Sequence, residues 1–338
     1  MKAVALTRYL PIDDPESLID VELPTPTPAG HDLRVRVEAV SVNPVDTKVR
    51  APKAAVEAAP RVLGWDAAGV VEAVGEAVTL FKPGDRVYYA GAIDRPGCNA
   101  EFHLVDERIV GPMPRTLDFA EAAALPLTAL TAWELLFERF GFDADGADRD
   151  RTLLMIAGAG GLGSIAIQLA KRAGLTAIAT ASRAETVDWC RRMGADHVVD
   201  HRQPLKPQLE ALGFAAVDAI VCFTAAEPYW AQMTDLVAPQ GRIGLVVGMK
   251  QAVDLEPLKS KSASVHWEYM FTRAQYRTPD MIAQHRILAR VAALVDAGAL
   301  RSTLTGTLAP INAANLRVAH ARLESGRSIG KLVLRGWG

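Results

Sequence analysis

Apolar residues in the second half of the chain recur in short runs, separated by stretches in which they follow helical spacing. Six runs have the length and character of strands, and they cover residues 153–157, 176–181, 197–199, 219–223, 243–247 and 265–271. Helical spacing fills most of the gaps between them, as at residues 184–193 and 229–237. Strands that alternate with helices predict an α/β fold with a doubly wound parallel sheet, which binds its ligand at the carboxyl edge.

From Lys2 to about Phe102 the pattern is that of β structure. Residues 33–39 alternate apolar and charged side chains, which predicts a half-buried strand, and residues 69–74 and 86–90 predict two more. Many short strands with Gly and Pro turns predict a small barrel. Helical periodicity then covers residues 118–124 and 128–140, with a break at Pro126, and returns in an amphipathic helix at 281–297.

One strand-to-helix junction carries a glycine motif. Gly158, Gly160 and Gly163 follow the apolar run 153–157 and precede a helical pattern, in the spacing G-x-G-x-x-G. The first glycine allows a tight turn, the second lets the backbone approach a pyrophosphate, and the third lets helix and strand pack closely. We therefore predict a dinucleotide site at residues 158–163, formed by Gly158, Ala159, Gly160, Gly161, Leu162 and Gly163. The alternative is a glycine-rich turn in an ordinary α/β sheet.

The end of the next strand indicates which dinucleotide binds. Ser182 and Arg183 stand where a dinucleotide fold meets the adenine ribose, at a position that usually carries Asp or Glu in NAD sites. A carboxylate would repel a 2′-phosphate, whereas a guanidinium attracts it. The residues therefore predict NADPH rather than NADH, the alternative being that Arg183 is a solvated surface residue.

Composition limits the partners. The chain has 338 residues, of which 22% are charged, and a formal net charge of −2. This balance shows no basic face for nucleic acid and no polybasic membrane patch, and no apolar run is long enough to span a membrane, so we expect a cytoplasmic protein. Cys98, Cys190 and Cys222 have neither metal nor disulfide spacing and are expected to be buried.

Several motifs together resemble a known family. Residues 64–75 (GWDAAGVVEAVG) and 81–87 (FKPGDRV) resemble the N-terminal signature of the medium-chain dehydrogenase/reductase superfamily. The stretches 43–46 (NPVD), 125–132 (LPLTALTA), 160–163 (GGLG) and 326–334 (GRSIGKLVL) are similar to the quinone oxidoreductase, or zeta-crystallin-like, branch. The resemblance covers essentially the whole chain.

The resemblance implies an architecture. A GroES-like catalytic domain, residues 1–126 and 272–338, would be interrupted by a Rossmann NADPH-binding domain at 127–271, with the active site in the cleft between them. It also implies a homodimer or homotetramer.

The sequence differs from the zinc enzymes of the superfamily at the positions that hold their metal ions. In those enzymes a cysteine, the histidine of G-H-E and a later cysteine or acid hold a catalytic zinc. Here residues 43–46 contain no cysteine, Trp65 stands in the histidine position, and only Cys98 lies where a structural zinc lobe would have four cysteines. Because a zinc site needs N or S donors that these positions lack, we expect no metal.

The resemblance also assigns residues to the cofactor. His201 would lie beside Ser182 and Arg183 at the adenosine phosphate, and the nicotinamide half would be held by Phe223, Val246, Val247, Gly248, Met270 and Phe271. Lys48, which replaces a frequent tyrosine, and Thr128 are further expected contacts. His201 has the alternative of a solvated strand end and Phe223 that of a core aromatic. Trp65, Tyr88, Tyr89 and Trp267 are expected to give an aromatic-lined pocket at most.

Without a metal, hydride transfer needs an acceptor whose developing charge is easily delocalised. Quinones and α,β-unsaturated carbonyls meet this need, and Asn43 and Thr131 are the candidate catalytic groups near the nicotinamide and the substrate carbonyl. Asn43 before Pro44 is also a good turn residue, and Thr131 can bond within its own helix. The predicted function is an NADPH-dependent quinone or enone reductase. The alternatives are zinc-type alcohol dehydrogenase activity and a low-turnover NADPH-binding sensor or structural protein.

Overall fold

The computed structural model describes residues 1–338 and separates them into two compact units. The first unit combines Met1–Leu130 with Phe271–Gly338, and the second is Thr131–Met270. The expected domain limits at 126/127 and 271/272 stay predictions. None of the helices combines the length and the apolar character that a membrane span requires.

The strands are β1 (Lys2–Tyr9), β2 (Ile19–Glu22), β3 (Asp32–Ser41), β4 (Lys53–Val62), β5 (Ala67–Val74), β6 (Arg86–Tyr89), β7 (Phe102–Asp106), β8 (Val110–Pro112), β9 (Thr152–Ile156), β10 (Thr176–Thr180), β11 (His197–Val199), β12 (Val217–Cys222), β13 (Val237–Leu245), β14 (Ser264–Trp267), β15 (Leu304–Leu308) and β16 (Lys331–Arg335). The α-helices are α1 (Pro44–Arg50), α2 (Phe119–Ala123), α3 (Pro126–Trp133), α4 (Gly161–Arg172), α5 (Ala184–Met193), α6 (Leu205–Ala211), α7 (Trp230–Leu236), α8 (Glu256–Lys259), α9 (Thr272–Tyr276), α10 (Ala283–Asp296) and α11 (Ala313–Glu324). A π-helical segment, Glu134–Arg139, follows α3, and short 3₁₀ turns cover Glu107–Ile109 and Glu227–Tyr229.

A six-stranded parallel sheet forms the second unit. Its strand order is β11-β10-β9-β12-β13-β14, and every neighbouring pair is parallel. Numbered within the sheet this is the order 3-2-1-4-5-6, in which the direction of strand addition reverses between the first and fourth strands. The predicted doubly wound sheet is confirmed, and all five residues of its central strand β9 are buried.

The first unit is mostly antiparallel β structure. Its larger sheet has the order β15-β16-β3-β5-β6-β8, with β7 also paired to β3, and a three-stranded sheet has the order β2-β1-β4. The predicted alternation on β3 is observed, since Leu33, Val35 and Val37 are at most 1% exposed while Arg36 is exposed. In this unit Asn43 stands at the start of α1 and Asp66 directly before β5.

Two predicted elements end differently from expectation. The helix predicted at 128–140 begins at Pro126 and widens into the π-helical segment after Trp133, where the Phe140 N–H donates to the Leu135 carbonyl, five residues back. The last strand of the parallel sheet ends at Trp267 rather than at Phe271. Apolar content cannot separate a strand from buried chain that follows it, and Met270 and Phe271 are both 3% exposed.

Candidate functional site

The three glycines of the turn between β9 and α4 differ in the space around them. A Cβ on Gly158 would come within 2.8 Å of the Ala179 Cβ, and one on Gly163 within 2.3 Å of the Gly158 carbonyl oxygen. A Cβ on Gly160 would meet nothing closer than the Ala157 oxygen at 4.0 Å. The outer glycines therefore permit close packing, and Gly160 leaves open space at the N-terminus of α4.

Two further features of the turn fit an anionic ligand. Gly160 is the N-cap of α4, a helix of 12 residues, and no side chain caps its first N–H groups. Free N–H groups at a helix start, with the positive end of the helix dipole, form a binding site for a phosphate. Ala157 has a φ of 67°, a left-handed conformation that costs roughly 1–2 kcal/mol for a non-glycine residue. Strain of this kind is typical of functional turns.

The structure brings Arg183 and His201 into one electrostatic neighbourhood. The pKa of His201 is lowered chiefly by burial, and the charges of Arg202 and Arg183 lower it further against the opposing effect of Asp200. The His201 Nδ1 is buried without a hydrogen-bond partner. Arg183 lies three residues after the end of β10, next to Ser182, and its Nε forms a 2.7 Å ion pair with Glu185. At the predicted adenosine side, the buried Nδ1 of His201 therefore lacks a hydrogen-bond partner, and the Arg183 guanidinium is close enough to affect the pKa of His201.

The expected nicotinamide-side residues of the second unit follow the carboxyl ends of adjacent parallel strands. Phe223 comes directly after β12, and its N–H donates to the carbonyl of Ile156 at the end of β9. Val246 and Val247 come directly after β13, both half-buried, and a Cβ on Gly248 would meet open space. Met270 follows β14 and is buried. These residues share the edge of the sheet at which the glycine turn also lies.

In the first unit a buried lysine contacts Asn43, one of the two candidate catalytic residues, and the buried carboxyl of Asp66. The Lys331 Nζ donates to the Val42 carbonyl at 3.1 Å, to the Asn43 Oδ1, and to the Asp66 Oδ2 at 2.8 Å. Asn43, Asp66 and Lys331 are 1%, 0% and 4% exposed. Asp66 also accepts hydrogen bonds from the Asn43 Nδ2 and from the Leu127 N–H. We refer to Asn43, Asp66 and Lys331 as the lysine cluster.

The lysine cluster changes the interpretation of Asn43. Its Nδ2 donates to the Asp66 carboxylate at 2.8 Å and to the Trp65 carbonyl at 3.1 Å, and its Oδ1 accepts from Lys331. Its amide is therefore fully engaged inside the protein. A catalytic role for Asn43 stays a prediction, and this geometry favours a structural one.

Asp46 is a second buried carboxyl group close to Asn43. It stands in the first turn of α1, is 1% exposed, and its Oδ2 accepts the Asn43 N–H at 2.6 Å. Burial, against the opposing effects of the Asn43 N–H and Lys331, raises its pKa to about 7. Burial likewise raises the pKa of Asp66, although Lys331 opposes the shift. The first unit thus holds a carboxyl group that changes protonation near neutral pH.

The remaining predicted residues are Thr128, Thr131 and Lys48. The Thr128 Oγ1 donates to the carbonyl of Leu125, the residue before α3, and Thr128 and Thr131 are 3% and 6% exposed. Lys48 is exposed on the last turn of α1. Cofactor contacts by Lys48 and Thr128 and a catalytic role for Thr131 stay predictions.

The expected aromatic-lined pocket is wrong for three of its four residues. Trp65 is 1% exposed and its Nε1 donates to the Ala92 carbonyl, and Tyr88 and Tyr89 are completely buried. The Tyr88 hydroxyl donates to the Leu288 carbonyl, and the Tyr89 hydroxyl pairs with His103. Their polar atoms have partners inside the protein, so these aromatics belong to the core, whereas Trp267 is 52% exposed.

The residues at the expected metal positions do not fit a zinc ion. No three His, Cys, Asp or Glu side chains converge on one point, although the Asp46 Oδ1 is buried without a hydrogen-bond partner. Asp66 is paired with Lys331, and the Cys98 thiol, whose pKa burial raises, donates to the Asp66 carbonyl. Zinc is bound by deprotonated Cys, neutral His or carboxylate side chains that are free to coordinate. Cys98, Cys190 and Cys222 are free and buried, as predicted.

Three charged residues were missed by sequence reasoning. Lys331 was noted only as part of a family motif, and its partner Asn43 lies 288 residues away along the chain. Glu134 and Glu268 are 0% and 2% exposed, and both lie beside Arg139. Glu134 is the only charged residue among residues 126–137, and this is the local signal that could have indicated it.

Comparison with known proteins gives consistent matches. The family model of the alcohol dehydrogenase GroES-like domain matches residues 29–115, and that of zinc-binding dehydrogenases matches residues 193–334. A zinc-type alcohol dehydrogenase-like protein of Staphylococcus aureus is 43% identical over 335 residues, which cover 99% of each chain. The GroES-like domain and the Rossmann sheet of the predicted fold are thereby confirmed.

Solved structures lead to the same fold. A Rhizobium etli protein, provisionally described as a zinc-dependent alcohol dehydrogenase, is 53% identical with a TM-score of 0.95, covering 100% of this chain and 98% of its own. Escherichia coli quinone oxidoreductase complexed with NADPH is 25% identical with a TM-score of 0.83, covering 99% of this chain and 100% of its own. The chain is similar to proteins described under both activities.

Proposed function

The chain belongs to the medium-chain dehydrogenase/reductase superfamily, in its zinc-type alcohol dehydrogenase-like group, and we propose an activity within this superfamily. The proposed activity is the NADPH-dependent reduction of quinones or α,β-unsaturated carbonyls without a metal. The superfamily and the glycine turn both indicate an oxidoreductase with a dinucleotide cofactor. What we propose beyond this is that the cofactor is NADPH, that the acceptor is a quinone or an enone, and that the reaction needs no metal.

The single observation that carries the proposal is the lysine cluster. Asp66, which follows Trp65 at the expected histidine position, is neutralised by the Lys331 ammonium and receives two further hydrogen bonds. Asp46, in the stretch 43–46, has one buried oxygen without a partner, but no three donors converge there, and a zinc site needs at least three protein ligands. These residues therefore do not suit a Lewis acid that would form an alkoxide from an alcohol. Acceptors that disperse negative charge themselves are therefore favoured, and quinones and enones are of this kind.

The choice of NADPH rests on the adenosine side. Arg183 would meet the 2′-phosphate, the N-terminus of α4 would hold the pyrophosphate, and the cofactor would supply the hydride. A charge-assisted hydrogen bond is worth roughly 1.5–3 kcal/mol, which corresponds to about a ten- to hundredfold preference for NADPH. The NADPH complex of the E. coli quinone oxidoreductase supports the same choice.

Replacement of Arg183 tests this choice. Arg183→Asp is expected to lower the ratio of kcat/KM for NADPH to that for NADH by about ten- to a hundredfold. Glu185→Gln removes the carboxylate that pairs with Arg183 and is expected to move the same ratio upward, by about two- to fivefold. Arg191→Asp on the same helix is the matched control, since its side chain is 66% exposed and meets only Asp188 at 3.8 Å. An unchanged ratio in Arg183→Asp would remove Arg183 from cofactor selection.

Zinc-dependent alcohol oxidation is the second candidate, because the S. aureus relatives carry a zinc-type name. The two candidates differ in their acceptor and in their response to a chelator. Rates with an ortho-quinone, with an enone and with a primary alcohol plus NADP⁺ separate them. Alcohol oxidation that disappears with a chelator and returns with zinc would favour the second candidate. Tight NADPH binding without turnover of any substrate would favour a sensor or structural role.

A further inference from the structure

We propose that Glu134 and Glu268 share one proton and, by doing so, fix the segment 268–270 at the carboxyl edge of the parallel sheet, so that nicotinamide binding is weakened when this proton is lost. The inference rests on the proposed dinucleotide function and concerns two residues that the function did not use. They act as positioning residues, because neither is argued to touch the substrate.

The surroundings of Glu134 and Glu268 favour a pair that holds one proton over a pair in which both carboxyl groups are ionised. Both carboxyl groups are buried, at 0% and 2% exposure, and both lie beside the Arg139 guanidinium. Two carboxylates would have no proton between them, and the Glu268 Oε1 is buried without a hydrogen-bond donor. A single shared proton supplies the missing donor. When two carboxyl groups share a site, the repulsion between their charges raises the pKa of one of them strongly.

The charges around the pair support one negative charge. Arg139 is the cation that faces it, with its Nε 2.9 Å from the Glu268 Oε2 and its Nη2 3.8 Å from the Glu134 Oε2. Glu138 adds a repulsive charge from the same turn. On the β14 side lies His266, whose pKa is lowered by burial and then by the charges of Arg242 and Arg139. With one proton the glutamate pair carries a single negative charge, which the positive charge of Arg139 balances. If both glutamates are ionised, one negative charge is left without a balancing cation.

The pair joins the two segments that border the expected nicotinamide side of the second unit. Glu134 opens the π-helical segment, three residues after Thr131. Glu268 follows β14, and its N–H donates to the carbonyl of Leu245, the last residue of β13. Met270, an expected nicotinamide contact, is two residues further on. Loss of the proton places two like charges side by side and pushes segment 268–270 away from the π-helical segment.

The direction of the pH effect follows from burial. Burial first, and then the repulsion from Glu134, raise the pKa of Glu268 to about 8. The proton is therefore held below about pH 8 and lost above it, so cofactor affinity falls as the pH rises. Asp46, with a pKa of about 7, titrates in the first unit and is distinguished by its own variant.

The experiment is a fluorescence titration of NADPH and of NADH as a function of pH, which needs no turnover. For the unmodified protein the Kd is expected to rise by about tenfold between roughly pH 7 and pH 9.5, for both cofactors alike. NADH lacks the 2′-phosphate, so agreement between the cofactors assigns the change to the nicotinamide side. Glu268→Gln keeps a donor and removes the second charge, so its Kd should stay flat over this range.

Matched variants make the result decisive. Glu134→Gln is expected to flatten the profile in the same way, and it replaces Glu268→Gln if that variant does not fold. Asp46→Asn and the exposed Glu256→Gln are controls that should retain the slope of the unmodified protein. A Kd independent of pH in the unmodified protein, or a slope that survives both glutamine variants, would overturn the inference. A protein that binds neither cofactor would instead contradict the proposed function.

Discussion

Removal of the buried ammonium of Lys331 tests the lysine cluster by stability. In Lys331→Met the aliphatic volume is largely kept, but three acceptors, on Val42, Asn43 and Asp66, lose their donor. Breaking a buried ion pair by removing one partner costs about 3–5 kcal/mol, because the remaining charge is left uncompensated. We therefore expect the unfolding free energy at neutral pH to fall by about 3–5 kcal/mol.

The pH dependence of this loss has a definite sign. Lys331 opposes the effect of burial on the pKa of Asp66, so its removal raises that pKa further above the unfolded value. A carboxyl whose folded pKa is raised stabilises the fold below its unfolded pKa and loses this contribution as the pH rises. The deficit of Lys331→Met is therefore expected to be smaller near pH 5 than near pH 8.

Urea unfolding followed by tryptophan fluorescence measures the effect, since Trp65 is buried next to Asp66 in the chain. Lys206→Met is the matched control: Lys206 forms a 3.0 Å ion pair with Asp235 in which both side chains are about half exposed. Exposed pairs contribute about 0.2–1 kcal/mol, so the control should lose no more than that. Equal losses in the two variants, or a loss below about 1 kcal/mol for Lys331→Met, would refute the reasoning.

The glycine turn gives the remaining predictions. Gly163→Ala places a Cβ 2.3 Å from the Gly158 carbonyl oxygen, a backbone atom that cannot move aside, so we expect a loss of about 1–3 kcal/mol in stability and loss of NADPH binding. Gly160→Ala meets no atom closer than 4.0 Å, so thermal unfolding should be nearly unchanged while the Kd for NADPH rises. Thermal unfolding and NADPH fluorescence titration check both variants; equal destabilisation of the two would contradict the separate roles of these glycines.

Local periodicity was sufficient to predict the parallel sheet. The run before Gly158 became β9, and the strand order reverses beside it, because a buried strand, a glycine turn and a helical pattern are all encoded within a short stretch. Strand ends were less predictable. Met270 and Phe271 continue the apolar character past the strand, because both are buried, and hydropathy does not record where backbone pairing stops.

Side-chain partners far apart in the chain could not be predicted. Tyr88 and Tyr89 are neighbours on β6, so their side chains point to opposite faces, and a strand covered on one face would expose one of them. Both are completely buried, because β6 is covered on both faces. The partners of Asn43 and Glu134 are likewise distant in sequence, and no local pattern indicates such a pairing.

The most direct test of the account is the initial rate of NADPH oxidation with an ortho-quinone, before and after exhaustive treatment of the protein with a metal chelator. Parallel assays use NADH as donor and a simple enone as acceptor. The account predicts a rate that the chelator leaves unchanged and that is higher with NADPH than with NADH. Activity that the chelator abolishes and added zinc restores would contradict it, and would mean that the lysine cluster does not replace a metal site.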